Sequence, residues 1–136
     1  MFYPRDHQIY DESYDIIPAA AVVKGQPAQL RDIFGFWLTA TAVAAGAALV
    51  EQTFVYRMRQ VLADKLTGSG EEIQAGDRVY AVVAQNFAIT ANPVGVAGVD
   101  YYFCGWAKFD ADADDDEVII NFDGTRCSWG SWRCGE

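Results

Sequence analysis

The sequence predicts a small all-β protein, a β-sandwich or barrel of short antiparallel strands. Runs rich in β-branched and aromatic residues alternate between apolar and polar positions, and they recur at intervals of about ten residues. Gly, Pro, Asn and Asp separate these runs, as expected for turns. The 136 residues suffice for one hydrophobic core. We therefore expect a β-domain at residues 16–124, with an extended N-terminal arm at 1–15 and a C-terminal tail at 125–136.

The N-terminal arm mixes aromatic and charged residues and shows neither helical nor strand periodicity. A disordered tail seldom carries so many aromatic residues, so we expect the arm to pack either on its own domain or on a neighbouring subunit. We also expect the C-terminal tail to pack either on its own domain or on a partner, because its tryptophans would be costly to leave in water. The candidate partner contacts are Phe2, Tyr3, Tyr10, Tyr14, Trp129 and Trp132.

The centre of the predicted fold is a hairpin between Gly35 and Met58. Residues 36–41 and 49–58 both alternate, and the Ala44-Ala45-Gly46-Ala47 stretch between them suits a reversal. The uncharged part of this region just reaches the length of a membrane span. Polar residues at every other position of the second segment favour the hairpin over a membrane helix.

The other elements are read from the same signals. A short strand at 19–23 precedes a Gly/Pro turn at 24–27, and residues 59–66 have the composition of two helical turns. A turn at Gly76-Asp77 leads into a strand that ends near Val83. The remaining predicted strands are 86–90, 99–108 and 117–122.

The charge and the cysteines exclude several classes of protein. Ten Lys and Arg against nineteen Asp and Glu give a net charge of −9, so we expect no nucleic-acid partner and no membrane partner. Three cysteines are too few for a disulfide framework and fit no zinc spacing. A bridge between Cys127 and Cys134 is possible but not required. The first residues lack the layout of a signal peptide, so we expect synthesis in a reducing cytoplasm.

No residue pattern indicates catalysis or a cofactor. The only histidine, His7, lies in the arm and has no evident nucleophile or acid to form a triad with. Residues 110–117 are rich in Asp, like a calcium-binding loop. However, the sixth position is Asp115 where the turn needs Gly, and the twelfth is Asn121 where a bidentate Glu is needed. We therefore expect a solvated acidic loop, no metal, no cofactor and no enzymatic activity.

The order of these pieces resembles a known family, the small cement or head decoration proteins of tailed bacteriophage capsids, formerly a domain of unknown function. The resemblance covers about residues 16–124. Its pieces are Pro18-Ala19-Ala20-Ala21-Val22-Val23, the hairpin from Gly35 to Val50, the strand from Glu51 to Met58, Gly76-Asp77-Arg78-Val79-Tyr80, Phe103-Cys104-Gly105-Trp106-Ala107, an acidic loop, and Val118-Ile119-Ile120-Asn121-Phe122-Asp123-Gly124. The aromatic arm, the Asp-rich loop and the Trp/Cys tail depart from the family pattern.

The resemblance implies a structural virion protein that binds the exterior of the assembled phage head. Such a protein bridges neighbouring subunits of the major capsid protein and associates with other copies of itself, as a dimer or a trimer. The alternative is a carbohydrate-binding or receptor-binding β-module displayed on the virion. Its stacking platform would consist of Trp37, Tyr101, Tyr102 and Trp106.

Overall fold

The fold comes from a computed structural model that describes residues 1–4, 10–30, 33–39, 50–92 and 101–125, with the backbone alone at 10–12. These residues contain one 3₁₀ turn, Val83–Gln85, and no α-helix. All nine of their strands belong to one sheet. The strands are β1 (Phe2–Pro4), β2 (Tyr10–Ile16), β3 (Pro27–Leu30), β4 (Ile33–Trp37), β5 (Gln52–Asp64), β6 (Arg78–Val82), β7 (Ala88–Thr90), β8 (Tyr101–Ala107) and β9 (Glu117–Asp123).

The long strand β5 is the centre of the sheet, because it is paired on both edges along its length. In its first half, Phe54 is opposite Trp37 of β4 on one edge and Tyr14 of β2 on the other. In its second half, Ala63 is opposite Val118 of β9 and Phe2 of β1. The described part of the arm is therefore built into the sheet rather than extending away from it.

The sheet curls back towards the end of its central strand, β5. Its main path runs β3-β4-β5-β9-β8-β6-β7. At the end of this path, the Leu66 N–H donates to the Ile89 carbonyl at 2.9 Å, so that β7 returns to the end of β5. The antiparallel sheet forms a half-barrel, which confirms the predicted all-β class.

The concave side of the half-barrel encloses a core dominated by phenylalanines. The Phe2 ring lies 5.6 Å from the Phe36 ring and 5.1 Å from the Phe122 ring, measured between centroids. Phe2 itself is 0% exposed. The other large, fully buried side chains are Phe34, Phe36, Phe54, Phe103, Phe122, Met58, Ile73, Ile89, Ile120, Val55 and Val61.

One glycine is required where β9 ends against β4 and β5. The Gly124 N–H donates to the Tyr56 carbonyl at 2.8 Å, and the Gly124 carbonyl accepts the Phe34 N–H at 3.2 Å. A Cβ on Gly124 would overlap the Phe34 carbonyl oxygen. The Asp123-Gly124 end of the predicted last strand therefore serves a close backbone approach.

The central hairpin is confirmed, with shifted boundaries. β4 and β5 are antiparallel, with Phe36 opposite Val55. The predicted reversal at 44–47 lies outside the described residues. The later predicted strands are also found, as β6, β7, β8 and β9.

Two local predictions are wrong. Residues 59–66 do not form helical turns, because β5 continues to Asp64 and is paired with β1 and β9 on its two edges. A bulge with Gln60 at φ 56° lets Val61 and Ala63 face the core, and these tertiary contacts override local helix propensity. Residues 19–23 do not form a strand either. The strand begins instead at Pro27, directly after the turn at 24–25.

Candidate functional site

The aromatic residues predicted to contact a partner are in different environments. Phe2 is buried in the chain's own core, so its proposed role as a partner contact is wrong. Tyr3 is 42% exposed and Tyr14 is 46% exposed, so both remain candidates. Tyr10 lies in β2, but its side chain is outside the described part of the chain. Trp129 and Trp132 also lie outside the described residues.

The exposed apolar side chains are concentrated along β2 and the start of β5. Ile17 is 58% exposed and Val50 is 60% exposed. The antiparallel register places Ile16 opposite Gln52, so the residues just beyond this pair, Ile17 and Val50, lie at the same end of the sheet. We call this surface the β2 margin. Its members are Tyr14, Asp15, Ile16, Ile17, Val50 and Glu51.

Side-chain contacts with β5 hold the β2 margin in place. The Tyr14 ring stacks on the Tyr56 ring, with centroids 4.9 Å apart and planes 28° apart. One carboxylate oxygen of Asp15 accepts the Thr53 hydroxyl at 3.0 Å. These contacts fix the direction of the exposed groups without burying them.

A small second apolar cluster forms a firm base for the β2 margin. Trp37 and Phe54 pack edge to face, with their centroids 5.2 Å apart, and Val22 joins them. The Gln52 side chain accepts the Thr39 hydroxyl at 2.6 Å and donates to the Val50 carbonyl at 3.3 Å. The start of β5 is therefore tied both to β4 and to the residues that precede it.

The four aromatic residues of the predicted carbohydrate platform do not share an open surface. Trp37 and Tyr101 are buried. Tyr102 stacks on Phe34 at 4.8 Å, while Trp106 is half-buried and packs against Phe103. Sugar stacking needs exposed ring faces, and these four side chains do not offer them together.

The acidic loop is organised around a buried lysine that the sequence analysis missed. Lys65 is 4% exposed. Its ammonium donates to the carbonyls of Leu66 at 2.8 Å, Asp115 at 3.2 Å and Ala113 at 3.4 Å. The predicted solvated loop is correct for the Asp side chains, which are exposed, but the backbone is anchored. The signal was the alternation of β5, in which Val61, Ala63 and Lys65 all fall on inward positions.

The acidic loop is further closed by its own carboxylates. Asp110 accepts the Ala75 N–H at 2.7 Å, and Asp115 accepts the Asp112 N–H at 2.8 Å. Within the described ranges, no three His, Cys, Asp or Glu side chains come together as a metal site would require. The Lys65 ammonium supplies the positive charge around which the loop carbonyls converge.

Cys104 is a structural thiol on β8. It is buried, unpaired, and within hydrogen-bonding distance of the Val79 carbonyl at 3.5 Å. Burial raises the pKa of the Cys104 thiol well above its ordinary value. The thiolate, which is the reactive form, is therefore suppressed. Cys127, Cys134 and His7 lie outside the described residues.

Comparison with known proteins gives no match to any family model, any curated protein or any solved structure. Among the described residues, the structure contains no helix of the length and apolar character that a membrane crossing needs. The β2 margin is therefore the candidate site on geometric grounds, as a surface for binding a protein.

Proposed function

We propose that this protein is a structural component of a phage virion that binds the outer surface of the assembled head. It would stabilise the head by bridging neighbouring subunits of the major capsid protein. The observation that carries the proposal is the β2 margin, where the apolar side chains of Tyr14, Ile16, Ile17 and Val50 are exposed at one end of the β2–β5 pair. Contiguous exposed apolar groups are typical of protein–protein interfaces.

The resemblance to cement proteins supports the same proposal. Four of its pieces overlap strands, namely β5, β6, β8 and β9, whereas the piece from Pro18 to Val23 forms no strand. A protein that binds the assembled shell but not its separated subunits stabilises the shell by its own binding free energy. Many copies act together, so each contact can be weak. A net charge of −9 keeps unbound copies soluble.

The test is co-sedimentation of the purified chain with undecorated heads of the cognate phage. We expect saturable binding and a rise in the temperature at which the heads disrupt. Deleting the arm is a poor test, because Phe2 belongs to the core. Point variants of the β2 margin are better, and we expect the double variant Ile17→Ser, Val50→Ser to weaken binding at least tenfold while the chain stays folded.

Phe109→Ser is the matched control, since Phe109 is 52% exposed and precedes the acidic loop rather than β2. It removes a similar apolar surface and should leave head binding unchanged. Absence of binding by the unaltered chain would overturn the proposed function. If the double variant Ile17→Ser, Val50→Ser and the control Phe109→Ser lose head binding equally, the assignment of the head-binding surface to the β2 margin would be overturned.

A further inference from the structure

In the part of the chain that the structure describes, no strand pairs with the outer edge of β2. Among the described residues, β2 pairs only with β5, and β4 occupies the opposite edge of the same β5 residues. β2 is thus the last strand of this part of the sheet. The backbone N–H and C=O groups on an edge strand can bond a further strand, because each is a strong hydrogen-bonding group.

The side chains at this edge suit an added strand of extended peptide. Tyr14 is 46% exposed and Ile16 is 37% exposed, and both lie on the same face at alternate positions. An added strand would place its own alternate side chains beside them, which is the usual arrangement for cross-strand packing. Ile17 and Val50 would extend that contact past the end of β2.

The negative charge along β2 indicates which kind of strand would bind at its outer edge. The sequence from residue 6 to residue 23 contains no Lys or Arg, while β2 carries Asp11, Glu12 and Asp15, and Glu51 lies beside its end. Two copies paired through β2 would bring the acidic residues of the two strands together, which is destabilising. A strand that alternates Lys or Arg with apolar residues would instead form opposite-charge pairs with the edge.

We propose that the outer edge of β2 binds an extended, basic segment of a partner protein as an added strand. This inference extends the proposed function. The identification of the partner as a shell subunit rests on that proposed function. The strand-binding edge itself can be tested without heads. Charge pairing also predicts that binding weakens as salt is raised, because the Asp15 and Glu51 side chains at this edge are exposed to solvent.

The experiment is an NMR titration of the full chain with short synthetic peptides. The probe alternates Lys with Thr and Val, and a matched peptide has Glu in place of Lys. A third peptide has the Lys sequence with N-methylated backbone amides, which cannot pair as a strand. We expect the Lys peptide alone to shift the amide signals of residues 13–17 saturably at millimolar concentration.

A charge reversal tests the role of the edge. Asp15→Lys should weaken binding of the Lys peptide about two- to fivefold, the effect of about one cross-strand charge pair. Glu72→Lys is the matched control, because Glu72 is exposed and follows the opposite end of β5. This control should bind as the unaltered chain does.

Three results would overturn the inference. They are equal binding of the Glu peptide, undiminished binding of the N-methylated peptide, and no shift in residues 13–17 at millimolar Lys peptide. Self-association of the chain through β2 would also contradict it. If the chain binds heads but the Lys peptide does not bind, the proposed function is retained and only the inference about the β2 edge fails. The failure of one proposal can therefore be distinguished from the failure of the other.

Discussion

At the scale of single residues, Lys65 anchors the acidic loop. Its buried ammonium satisfies three backbone carbonyls that converge on it from Leu66 and the acidic loop. The backbone carbonyls of the acidic loop thus converge on the ammonium of a side chain, while the Asp side chains remain exposed. The loop should keep its shape without added metal.

Lys65→Met should therefore destabilise the chain by about 1–3 kcal/mol, because the Leu66 and Asp115 carbonyls lose the ammonium that donates to them. Hydrogen exchange in residues 111–116 should accelerate more than exchange elsewhere. Lys108→Met is the control, since Lys108 is exposed. Chemical denaturation followed by hydrogen exchange would measure both effects, and equal stability of the two variants would contradict this role for Lys65.

The Cys104 thiol should make stability depend on alkaline pH. Burial raises the pKa of Cys104 in the folded chain above its ordinary value of 9.0, so the folded thiol remains neutral. Once the pH exceeds the pKa of Cys104 in the unfolded chain, only the unfolded chain releases this proton. The contribution of the buried neutral thiol to the free energy of unfolding is then lost as the pH rises further. Between the pKa of the unfolded chain and that of the folded chain, each pH unit lowers the free energy of unfolding by about 1.4 kcal/mol.

The measurement is urea denaturation of the chain and of Cys104→Ala at a series of pH values from about 8 upwards. All other titratable groups are common to both proteins, so the difference between the two curves isolates Cys104. We expect the stability of the unaltered chain to fall more steeply. Parallel curves would show that the folded thiol is not protected from ionisation.

At the scale of elements, the short strand β1 closes the core. Phe2 contacts the rings of Phe34, Phe36 and Phe122, and the Phe2 N–H donates to the Gly25 carbonyl at 3.0 Å. We expect Phe2→Ala to destabilise the chain by about 3–5 kcal/mol, as is usual for a buried phenylalanine. Tyr3→Ala, next in the same strand but exposed, should cost less than about 1 kcal/mol.

Thermal unfolding of these two variants would measure the difference. Similar midpoints for Phe2→Ala and Tyr3→Ala would mean that β1 is not part of the folded core. The comparison needs no assumption about the partner. It depends on the adjacent positions having opposite environments.

The sequence predicted the type of most strands but not how the elements come together. Alternation was sufficient for the hairpin, β6, β8 and β9, because a half-buried strand must show apolar and polar residues in turn. It failed at residues 59–66, where pairing on both edges of β5 overrides a helix-like composition. The arm could not be placed either, because it forms two strands whose aromatic residues have different environments. Phe2 enters the core and Tyr14 faces solvent.

The candidate site was predicted only in part, because the sequence does not show which strands pair with one another. Tyr14 was named from its residue type, whereas Ile16, Ile17 and Val50 become neighbours only through the β2–β5 register. Lys65 was missed because the alternation of β5 changes phase at the bulge. Composition does not report such changes of phase.

At the scale of the whole molecule, the sheet should unfold as one unit. β5 is paired with β1, β2, β4 and β9, which come from distant parts of the chain, so losing one of these strands exposes core shared by the others. We expect far-UV circular dichroism and tryptophan fluorescence to follow one coincident urea transition. The amides of Phe2 and Tyr3, and those amides of β2 whose N–H groups face β5, should exchange through the same global opening as those in β9.

Loss of the arm signals at lower urea than the β9 signals would contradict this cooperativity and make the arm a separate unit. The outcome matters for the proposed function. If β2 is part of a single cooperative sheet, a partner strand bound at its outer edge stabilises the entire chain by mass action. The Lys peptide should then raise the midpoint for β9 as much as the midpoint for β2.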